Sequence, residues 1–496
     1  MTSVPWTGDN TARMPIGEIL AARARAAPNR PMVTCRGAVA TRLQLDLASN
    51  RLARAYEALG VRPGSYVAIA LPNGIEFFRA AFAVWKLGAV PLPLSRTLPE
   101  AERAAIVELG GCDLIAGVTP ESHPGRVCLP SGFRPDPALS CEPITPPRVA
   151  PSWKAPTSGG STGRPKIIVA GQDGNIDPQL GRRYGIRPDG VLLLPGPLYH
   201  NAPFTQAMLG AFLGNHIVVL ERFDARDCLK AIGDYGVEWV GLVPTMMLRM
   251  WRELQSNPGA YRLHSLRQVW HMAAPCPAWL KEAWIELVGP EKLMELFGGT
   301  EGQATTVISG LEWLQRRGSV GRPVYGRIRI LDERGRPVPA GVTGEIYMRW
   351  NDGAKPPYRY IGAEPQTRDG WESLGDLGWL DDEGYLYIAD RRTDMILSGG
   401  ANVYPAEVEA ALLAHPAVNS CVVVGLPDED LGQRVHAVIE ARPELGEEML
   451  RDFLATRIVR YKIPRSFRFV VESLRDDAGK VRRNAWRNRE CARLGL

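Results

Sequence analysis

Short apolar segments alternate with amphipathic helical patterns along the N-terminal part of the chain, and this alternation constrains the fold most strongly. Residues 66–71 predict a buried strand, residues 75–87 the helix behind it, and residues 89–92 the next strand. The order strand, helix, strand is typical of a parallel sheet with helices on both faces. The sequence therefore predicts an α/β fold.

The same alternation returns further along and predicts a second, similar lobe. Helices are predicted at Ala225–Tyr235 and from Pro244 onward, and strands at Val191–Leu194, 216–220, 239–243, Gln268–Met272 and 293–297. The segment 119–156 before this lobe is poor in periodicity and rich in Pro and Ser, which predicts a long connection. We thus expect two βαβ lobes in the large N-terminal part.

The pattern changes beyond residue 318 to short alternating strands separated by turns. Strands at Arg327–Leu331, 344–348 and 385–389 indicate a small β-rich subdomain. A charged junction at 390–394 follows, and then a helix at 403–413 and a strand at 421–424. The rest of the chain fits a compact α+β domain of about a hundred residues.

Composition limits the class of protein without naming a function. The 496 residues carry a formal charge of +5 from 59 basic and 54 acidic side chains, which implies neither a nucleic-acid partner nor a membrane surface. No apolar run reaches the roughly 18 residues of a membrane span, and the N-terminal residues lack the pattern of a signal peptide. The 8 cysteines form no Cys-x-x-Cys pair, so we expect reduced thiols and a cytoplasmic location. The oligomeric state is not predicted.

Residues 157–166, Thr-Ser-Gly-Gly-Ser-Thr-Gly-Arg-Pro-Lys, combine four hydroxyl side chains, three glycines and a lysine. Glycines let backbone N–H groups turn toward an anion, and hydroxyls and an ammonium bind anions as well. A polyphosphate is therefore the expected ligand. The spacing differs from a Walker loop, because Lys166 follows Pro165 and precedes Ile167. A flexible Gly/Ser linker is the alternative interpretation.

Polar or Gly-rich turns follow several of the predicted strands. Residues 195–201, which end in His200 and Asn201, follow one strand, while 273–275 and 298–302 follow two others. Open α/β sheets bind ligands beyond the carboxyl ends of their strands. The turns therefore predict one shared crevice.

Taken together, these motifs resemble the adenylate-forming superfamily of acyl-CoA synthetases, adenylation domains and luciferases. The resemblance covers essentially the whole chain in the expected order: the phosphate loop 157–166, the aromatic-Gly-x-Thr-Glu motif at 297–301, the Gly-Asp motif at 374–378, the hinge at Asp390 and Arg391 with the glycine turn at 398–407, and Gly479 with Lys480 near the end. The residues at 197–204 and 273–277 resemble those of the branch of fatty-acid and bile-acid CoA ligases. The resemblance implies an N-terminal AMP-binding domain at 1–390, a hinge at 391–394 and a mobile C-terminal domain at 395–496. Thr393 stands where many relatives carry Asp or Lys, which a hinge tolerates because it needs rotatable backbone.

The resemblance also implies the reaction, in which a carboxylate attacks the α-phosphate of ATP to give an acyl adenylate and pyrophosphate, with Mg²⁺ as cofactor. Catalytic roles fall to Lys480, which bridges the carboxylate and the α-phosphate, to Thr300, to the Mg²⁺ ligand Glu301, and to His200 as a gate beside the acyl site. An alternative for His200 is an imidazole at the edge of the core. Residues implied in nucleotide and cofactor binding are Thr157, Ser158, Gly159, Gly160, Ser161, Thr162, Gly163 and Lys166 for phosphates, Asp376 and Arg391 for the ribose, Ala273, Ala274, Pro275, Phe297, Gly298, Gly299 and Ile388 around the base, and Ser398, Gly399 and Gly400 for the second step.

The expected acyl pocket is apolar, with flexible methionines and no evident arginine for a second carboxylate, which favours a hydrophobic or aromatic monocarboxylate. Its expected lining, besides Gly298, is Asn201, Phe204, Met246, Met247 and His271. The alternative is that both methionines belong to a helix core. CoA is the expected acyl acceptor. An amine acceptor as in amide bond synthetases, a carrier protein, and a non-catalytic nucleotide-binding relative are the alternatives, and the intact Lys480, Glu301 and Asp376 argue against the last.

Overall fold

A computed structural model describes residues 13–159, 165–441, 445–476 and 479–496. The helices within these ranges are α1 Ile16–Ala26, α2 Arg42–Ala58, α3 Ile75–Lys86, α4 Glu100–Gly110, α5 Asn201–Phe212, α6 Ala225–Tyr235, α7 Pro244–Ser256, α8 Ala278–Val288, α9 Gly310–Gln315, α10 Pro405–Leu413, α11 Glu447–Ala455 and α12 Arg483–Leu494.

The strands in the same ranges are β1 Met14–Pro15, β2 Pro31–Cys35, β3 Ala38–Thr41, β4 Tyr66–Ile69, β5 Val90–Pro93, β6 Leu114–Ala116, β7 Val127–Leu129, β8 Thr157–Gly159, β9 Pro165–Ala170, β10 Asn175–Ile176, β11 Val191–Leu194, β12 His216–Val219, β13 Trp239–Leu242, β14 Gln268–Met272, β15 Leu293–Gly298, β16 Thr305–Ser309, β17 Ser319–Tyr325, β18 Arg327–Leu331, β19 Gly344–Arg349, β20 Tyr358–Ile361, β21 Gln366–Arg368, β22 Trp371–Leu380, β23 Leu386–Arg391, β24 Ile396–Ser398, β25 Ala401–Val403, β26 Val418–Asp428, β27 Gly432–Ala441 and β28 Ser466–Val470.

Two parallel sheets form the N-terminal part, as the βα alternation predicts. The first has the strand order β5-β4-β6-β7, and the second runs β15-β14-β13-β11-β12-β2 in parallel before β3 turns back. The α/β prediction is confirmed. The lobes are interleaved, however, because β2 and β3 from the start of the chain complete the second sheet.

The predicted connection 119–156 is partly wrong, because β7 lies within it and forms the edge of the first sheet. This strand has only 3 residues, Val-Cys-Leu, which is too short for a periodic signal. The predicted helix at 403–413 begins two residues later, at Pro405. Residues Ala401–Val403 pair with β24 instead, and proline suits the first turn of a helix.

The β-rich subdomain continues the second sheet rather than standing apart from it. Strand β17 pairs with β16 on one side and with β23 on the other, and β22, β19 and β18 follow. The C-terminal part has its own sheet, built on the long hairpin β26–β27, and both β24 and β28 pair with β27. Asp376 and Arg391 lie opposite each other in the β22–β23 pair, so the sheet itself brings these two side chains together.

A large aromatic core fixes the helices that begin near the site. The ring of Phe204, on α5, lies 6.0 Å from Trp85, 6.2 Å from Phe77 and 6.1 Å from Trp153. The indole N–H of Trp85 donates to the Trp153 carbonyl at 2.8 Å. Loss of such a ring costs about 3–5 kcal/mol, so α5 and the segment before the phosphate loop are held together firmly.

The C-terminal part contacts the N-terminal part at several points. The Arg252 guanidinium, on α7, donates to the Val418 carbonyl at the start of β26. Arg482, just before α12, lies 3.7 Å from a carboxylate oxygen of Glu102 on α4. A Cβ added at Gly479 would collide with the Thr245 hydroxyl at the start of α7. The turn that carries Lys480 is therefore seated on the N-terminal part.

Candidate functional site

The two strands that flank the phosphate loop form an antiparallel pair. Ser158 lies opposite Lys166, and Gly159 lies opposite Pro165. The predicted phosphate contacts Gly160, Ser161, Thr162 and Gly163 lie outside the described residues. The loop therefore begins and ends on a β-ladder, so the lysine that follows it has a fixed direction.

Lys166 meets Glu301, although the two are far apart in sequence. Its ammonium donates to Glu301 Oε1 at 3.2 Å and to the Tyr360 hydroxyl at 2.9 Å. The Tyr360 hydroxyl in turn donates to Glu301 Oε1 at 2.5 Å. Glu301 Oε2 takes part in neither contact. Burial and the Glu301 charge raise the pKa of Tyr360, so its hydroxyl remains a donor.

Sequence reasoning missed Tyr360. It lies on β20, which pairs with β9, and the register places it opposite Ile168. Tyrosines at alternate positions of a strand carry no chemical signal of their own. The contact with Glu301 follows from this long-range pairing, which the sequence does not reveal.

The turn after β15 presents Thr300 and Glu301 under tight steric constraint. A Cβ added at Gly299 would collide with Leu374, which belongs to β22. The Phe297 side chain packs on the same small apolar cluster as Leu374 and Ile388. The structure thus brings together three predicted parts of the nucleotide site, on β15, β22 and β23.

Asp376 and Arg391 form an ion pair beside this turn. Arg391 Nε lies 3.3 Å from Asp376 Oδ1. Burial raises the pKa of Asp376, and the guanidinium of Arg391 opposes this change. The hydroxyl groups of a ribose need hydrogen-bond acceptors, and a carboxylate accepts through both of its oxygens.

The predicted adenine-edge segment follows β14 with a strained residue. Ala273 has φ of +73°, a left-handed conformation that is uncommon for a residue with a Cβ. Ala273 and Pro275 are exposed and Ala274 is partly exposed. The strain turns the backbone sharply at the carboxyl end of the strand, where backbone groups remain open to a ligand.

Lys480 reaches the same site from the C-terminal part. Its backbone N–H donates to Asp476 Oδ1 at 2.8 Å, which closes the turn. The side chain remains open to solvent, yet the surrounding protein lowers its pKa by desolvation. Asp476 and Glu301 act to raise this pKa and Arg391 acts to lower it, so the ammonium lies within electrostatic reach of both halves of the nucleotide site.

His200 precedes α5 and is neutral. Burial lowers the pKa of His200 to about 3, and the Lys480 charge acts in the same direction. Its Nε2 atom is buried without a hydrogen-bond partner among the described residues. A buried nitrogen without a partner is costly, and a ligand at this place would satisfy it.

The predicted acyl-pocket residues differ in exposure. Asn201 is partly exposed, whereas Phe204, Met247 and His271 are fully buried and Met246 nearly so. Met246 and Met247 belong to the core formed with α6 and α8, as the alternative interpretation expects, and the Phe204 ring is enclosed by the aromatic core. The imidazole of His271 lies 3.8 Å from Glu295, and burial lowers its pKa to about 4, so this contact is not an ion pair. A pocket role for these four residues stays a prediction.

Ser398, Gly399 and Gly400 belong to the hairpin turn between β24 and β25. Gly399 and Gly400 have φ of +57° and +80° and are exposed. A Cβ added at Gly400 would meet nothing within 4 Å. Among the described residues, this side of the turn is therefore open.

Lys154 is a second residue that sequence reasoning missed. It lies between Trp153 and the phosphate loop, is 8% exposed, and its ammonium donates to Asn201 Oδ1 and, at 2.6 Å, to the Thr205 hydroxyl. Burial lowers the pKa of Lys154 to about 7. A single lysine in a Pro- and Ser-rich segment gives no sign of burial.

Two negative findings apply to the described part of the chain. In residues 13–159, 165–441, 445–476 and 479–496 no group of three or more His, Cys, Asp or Glu side chains is placed to hold a metal ion. No helix in these ranges has both the length and the apolar character needed to cross a bilayer. A Mg²⁺ ion that is shared with phosphate oxygens needs only one or two carboxylates, and Glu301 fits that requirement.

The fold and this assembly define a nucleotide-dependent ligase with a large and a small domain. The sequence matches the AMP-binding enzyme family over residues 20–355 and the AMP-binding enzyme C-terminal domain over 407–480. The chain belongs to the AMP-binding enzyme family, and it is an AMP-forming ligase of the acyl-CoA synthetase branch. The resemblance described above is confirmed at this level.

Relatives match over nearly their full length. The chain is 29% identical over 472 residues to a 2-succinylbenzoate–CoA ligase of Bacillus licheniformis, covering 93% of this chain and 97% of that protein. It is 30% identical over 501 residues to a sulfoacetate–CoA ligase of Cupriavidus necator, covering 94% and 96%. Among solved structures, the o-succinylbenzoate CoA synthetase of Bacillus subtilis with its acyl-adenylate intermediate has a TM-score of 0.79 at 27% identity, covering 96% of this chain and 98% of that one. The same protein with ATP and magnesium ion also has a TM-score of 0.79, at 27% identity over 95% and 99% of the two chains.

Proposed function

We propose that the protein activates a hydrophobic or aromatic carboxylic acid with ATP, forming an acyl adenylate and pyrophosphate, and then transfers the acyl group to CoA. The observation that carries this proposal is geometric: the turn with Lys480 is seated on the N-terminal part at Thr245, and Lys166 and Glu301 meet beside the phosphate loop. A carboxylate and a phosphate repel each other. Their reaction therefore needs preorganised positive charge where they meet.

The phosphate side of the reaction falls to the Lys166, Glu301 and Tyr360 cluster. Lys166 would neutralise the β- and γ-phosphates together with Thr157, Ser158 and the hydroxyls of the loop. Glu301 would bind Mg²⁺ through Oε2, since Oε1 already accepts from Lys166 and Tyr360. Bound Mg²⁺ supplies charge neutralisation at the phosphate oxygens. Tyr360 would keep the Glu301 carboxylate oriented for this task.

The nucleoside would lie across the neighbouring strands. Asp376, oriented by Arg391, would accept hydrogen bonds from the ribose hydroxyls. Phe297 and Ile388 would contact the base, with the backbone of 273–275 at its edge. Thr300 would donate to the α-phosphate.

Lys480 and His200 would act on the acid. The Lys480 ammonium would bridge the attacking carboxylate oxygen and the α-phosphate, where negative charge accumulates. The neutral His200 would border the path of the acyl chain without adding a charge. Asn201, a predicted pocket residue that is partly exposed, follows His200 directly.

The second step would require a change of domain orientation. Rotation about the proposed hinge 391–394 would move the domain 395–496 relative to 1–390, withdraw Lys480 and bring Ser398, Gly399 and Gly400 to the adenylate. The exposure of both glycines in the present orientation is consistent with such an exchange. CoA is the proposed acceptor because the relatives above are named as CoA ligases. We also place the protein in the cytoplasm, where its eight free cysteines would stay reduced.

The test is an incubation of the enzyme with ATP, Mg²⁺ and a panel of aryl, alkyl and steroid acids, with CoA or amines as acceptor. The proposal predicts acid-dependent release of pyrophosphate and AMP, and a CoA thioester by mass. Amide products with amines but no thioester would replace CoA by an amine acceptor. Release of neither pyrophosphate nor AMP with any acid would contradict the proposed activity.

A further inference from the structure

Lys154 is a buried lysine whose amino group has no countercharge among the described residues. Its ammonium contacts two neutral groups, Asn201 Oδ1 and the Thr205 hydroxyl, and lies 4.3 Å from the centre of the Trp153 ring. Among the described residues no carboxylate lies within ion-pair distance of Nζ. Buried charges in proteins are normally paired, because desolvation of an isolated ion is costly. A cation–π contact offsets part of this cost but does not replace a countercharge.

The surroundings on α5 make the burial of this cation still less favourable. Asn201 is the first residue of α5, and Thr205 lies one turn further on the same face. The N-terminus of a helix carries the positive end of its dipole, which repels an ammonium. The His200 side chain does not cap this end. The site therefore favours an electron-rich partner that the chain itself does not provide.

The position of Lys154 relative to His200 indicates where that partner would come from. His200 Nε2 is buried without a hydrogen-bond partner among the described residues, and the next residue, Asn201, accepts from Lys154, so a ligand that contacts His200 would lie beside Lys154. Thr205 lies five residues beyond His200, which is roughly 7 Å along a helix at 1.5 Å per residue. Asn201 and Thr205, the two partners of Lys154, are partly exposed. An acid with its carboxylate at Lys480 would thus present atoms of its tail to Lys154.

We propose that the Lys154 ammonium recognises an oxygen atom on the tail of the acid, either a carbonyl or a second carboxylate, several bonds away from the reacting carboxyl group. This inference rests on the proposed function and narrows its substrate class from apolar acids to acids that bear an oxygen acceptor in the tail. Lys154 donates one hydrogen bond to that oxygen. Asn201 and Thr205 hold the ammonium in place by accepting from it.

The experiment compares kcat/KM for different acids within each enzyme variant, because a loss of activity that affects all acids equally cancels in this ratio. The acid scaffold with the highest kcat/KM in the panel is prepared in three forms, with a hydrocarbon tail, a keto tail and a carboxylate tail, and the oxygen is placed at successive carbons along the tail. Adenylation is followed by pyrophosphate release for the wild type and for Lys154→Met, which keeps the length of the side chain. The wild type is expected to prefer an oxygen-bearing form. The variant is expected to lose about 10- to 100-fold of kcat/KM for that form relative to the hydrocarbon form, the scale of a charge-assisted hydrogen bond.

Two further measurements separate recognition from a structural role. Non-hydrolysable acyl-sulfamoyl adenosines with the same tails should show the same change in relative Kd. The thermal midpoint of Lys154→Met should be equal to or above that of the wild type, because an unpaired buried cation is removed. The control is Lys166→Met, which acts on the phosphates and should lower kcat/KM for all three forms by one common factor.

Each possible result either assigns the oxygen that Lys154 contacts or contradicts one of the two proposals. A change of the carboxylate form alone assigns a second carboxylate, and a change of both oxygen forms assigns a carbonyl or carboxylate oxygen in general. Equal losses for all three forms, a wild-type preference for the hydrocarbon form, or no loss in the variant would overturn the role of Lys154. Absence of pyrophosphate release with every acid would instead overturn the proposed function itself.

Discussion

Replacement of Lys480 by alanine tests the most specific part of the proposed mechanism. The ammonium would lie between two anions, and a pair of unit charges about 4 Å apart at an effective dielectric of about 20 interacts by about 4 kcal/mol. Partial solvent exposure of the side chain reduces this figure, and about 2.7 kcal/mol is a lower bound that fits losses of single transition-state donors. Since about 1.4 kcal/mol corresponds to a tenfold change in rate, Lys480→Ala should slow adenylation by about 10²- to 10³-fold.

The assay follows pyrophosphate release with ATP, Mg²⁺ and a saturating acid. Consumption of a synthetic acyl adenylate by CoA should stay near the wild-type rate, because Lys480 would be withdrawn in the second step. The matched control is Lys462→Ala, which removes a lysine of the same domain that pairs with Glu407 instead of the N-terminal part. It should leave both steps near wild type. Pyrophosphate release by Lys480→Ala at a rate close to wild type would refute the reasoning.

The remaining predictions concern three other parts of the site. Tyr360→Phe removes the hydroxyl that donates to Glu301, so kcat/KM for ATP should fall about 10- to 100-fold with little change in KM for the acid; equal effects on both substrates would contradict this role. Gly400→Leu should block thioester formation while acid-dependent pyrophosphate release continues, and unchanged thioester formation would mean that the acceptor enters elsewhere. Burial lowers the pKa of His200 to about 3, so its imidazole is neutral above about pH 5. The pH profile of adenylation between pH 5 and 8 should therefore be the same in the wild type and in His200→Gln. If the wild-type profile had a step with a midpoint near pH 6 that the variant lacked, the imidazole would be charged, which contradicts this prediction.

The sequence was sufficient to predict helices and strands whose boundaries are marked by residues within or next to the element. Helix Ala225–Tyr235 is bounded by the Asp224 side chain, which accepts from the Asp227 N–H at 3.0 Å, and by Gly236 with φ of +61°. Strand Val191–Leu194 is a continuous apolar run that ends at a Pro-Gly turn. Such boundaries follow from capping and turn chemistry. Strand Val127–Leu129 was missed because pairing with β6, and not its own sequence, makes it a strand.

The site residues also fall into those that the sequence predicts and those that only the packed structure reveals. The glycine turns and the charged residues of the motifs were recognisable because their spacing in sequence is fixed. Tyr360 and Lys154 were not, because their roles depend on which strand or helix packs beside them. The neutral state of His200 and the lowered pKa of Lys480 also come from burial, which no local pattern reveals. The complete enclosure of Phe204 in aromatic rings is likewise a property of the packed core.

The most direct test of the central claim is acid-dependent exchange of labelled pyrophosphate into ATP in the absence of CoA. If the protein forms an acyl adenylate reversibly, exchange requires both the acid and Mg²⁺, and subsequent addition of CoA releases AMP and no ADP. Exchange that is independent of the acid, or acid-dependent formation of ADP and inorganic phosphate in place of AMP and pyrophosphate, would contradict the account.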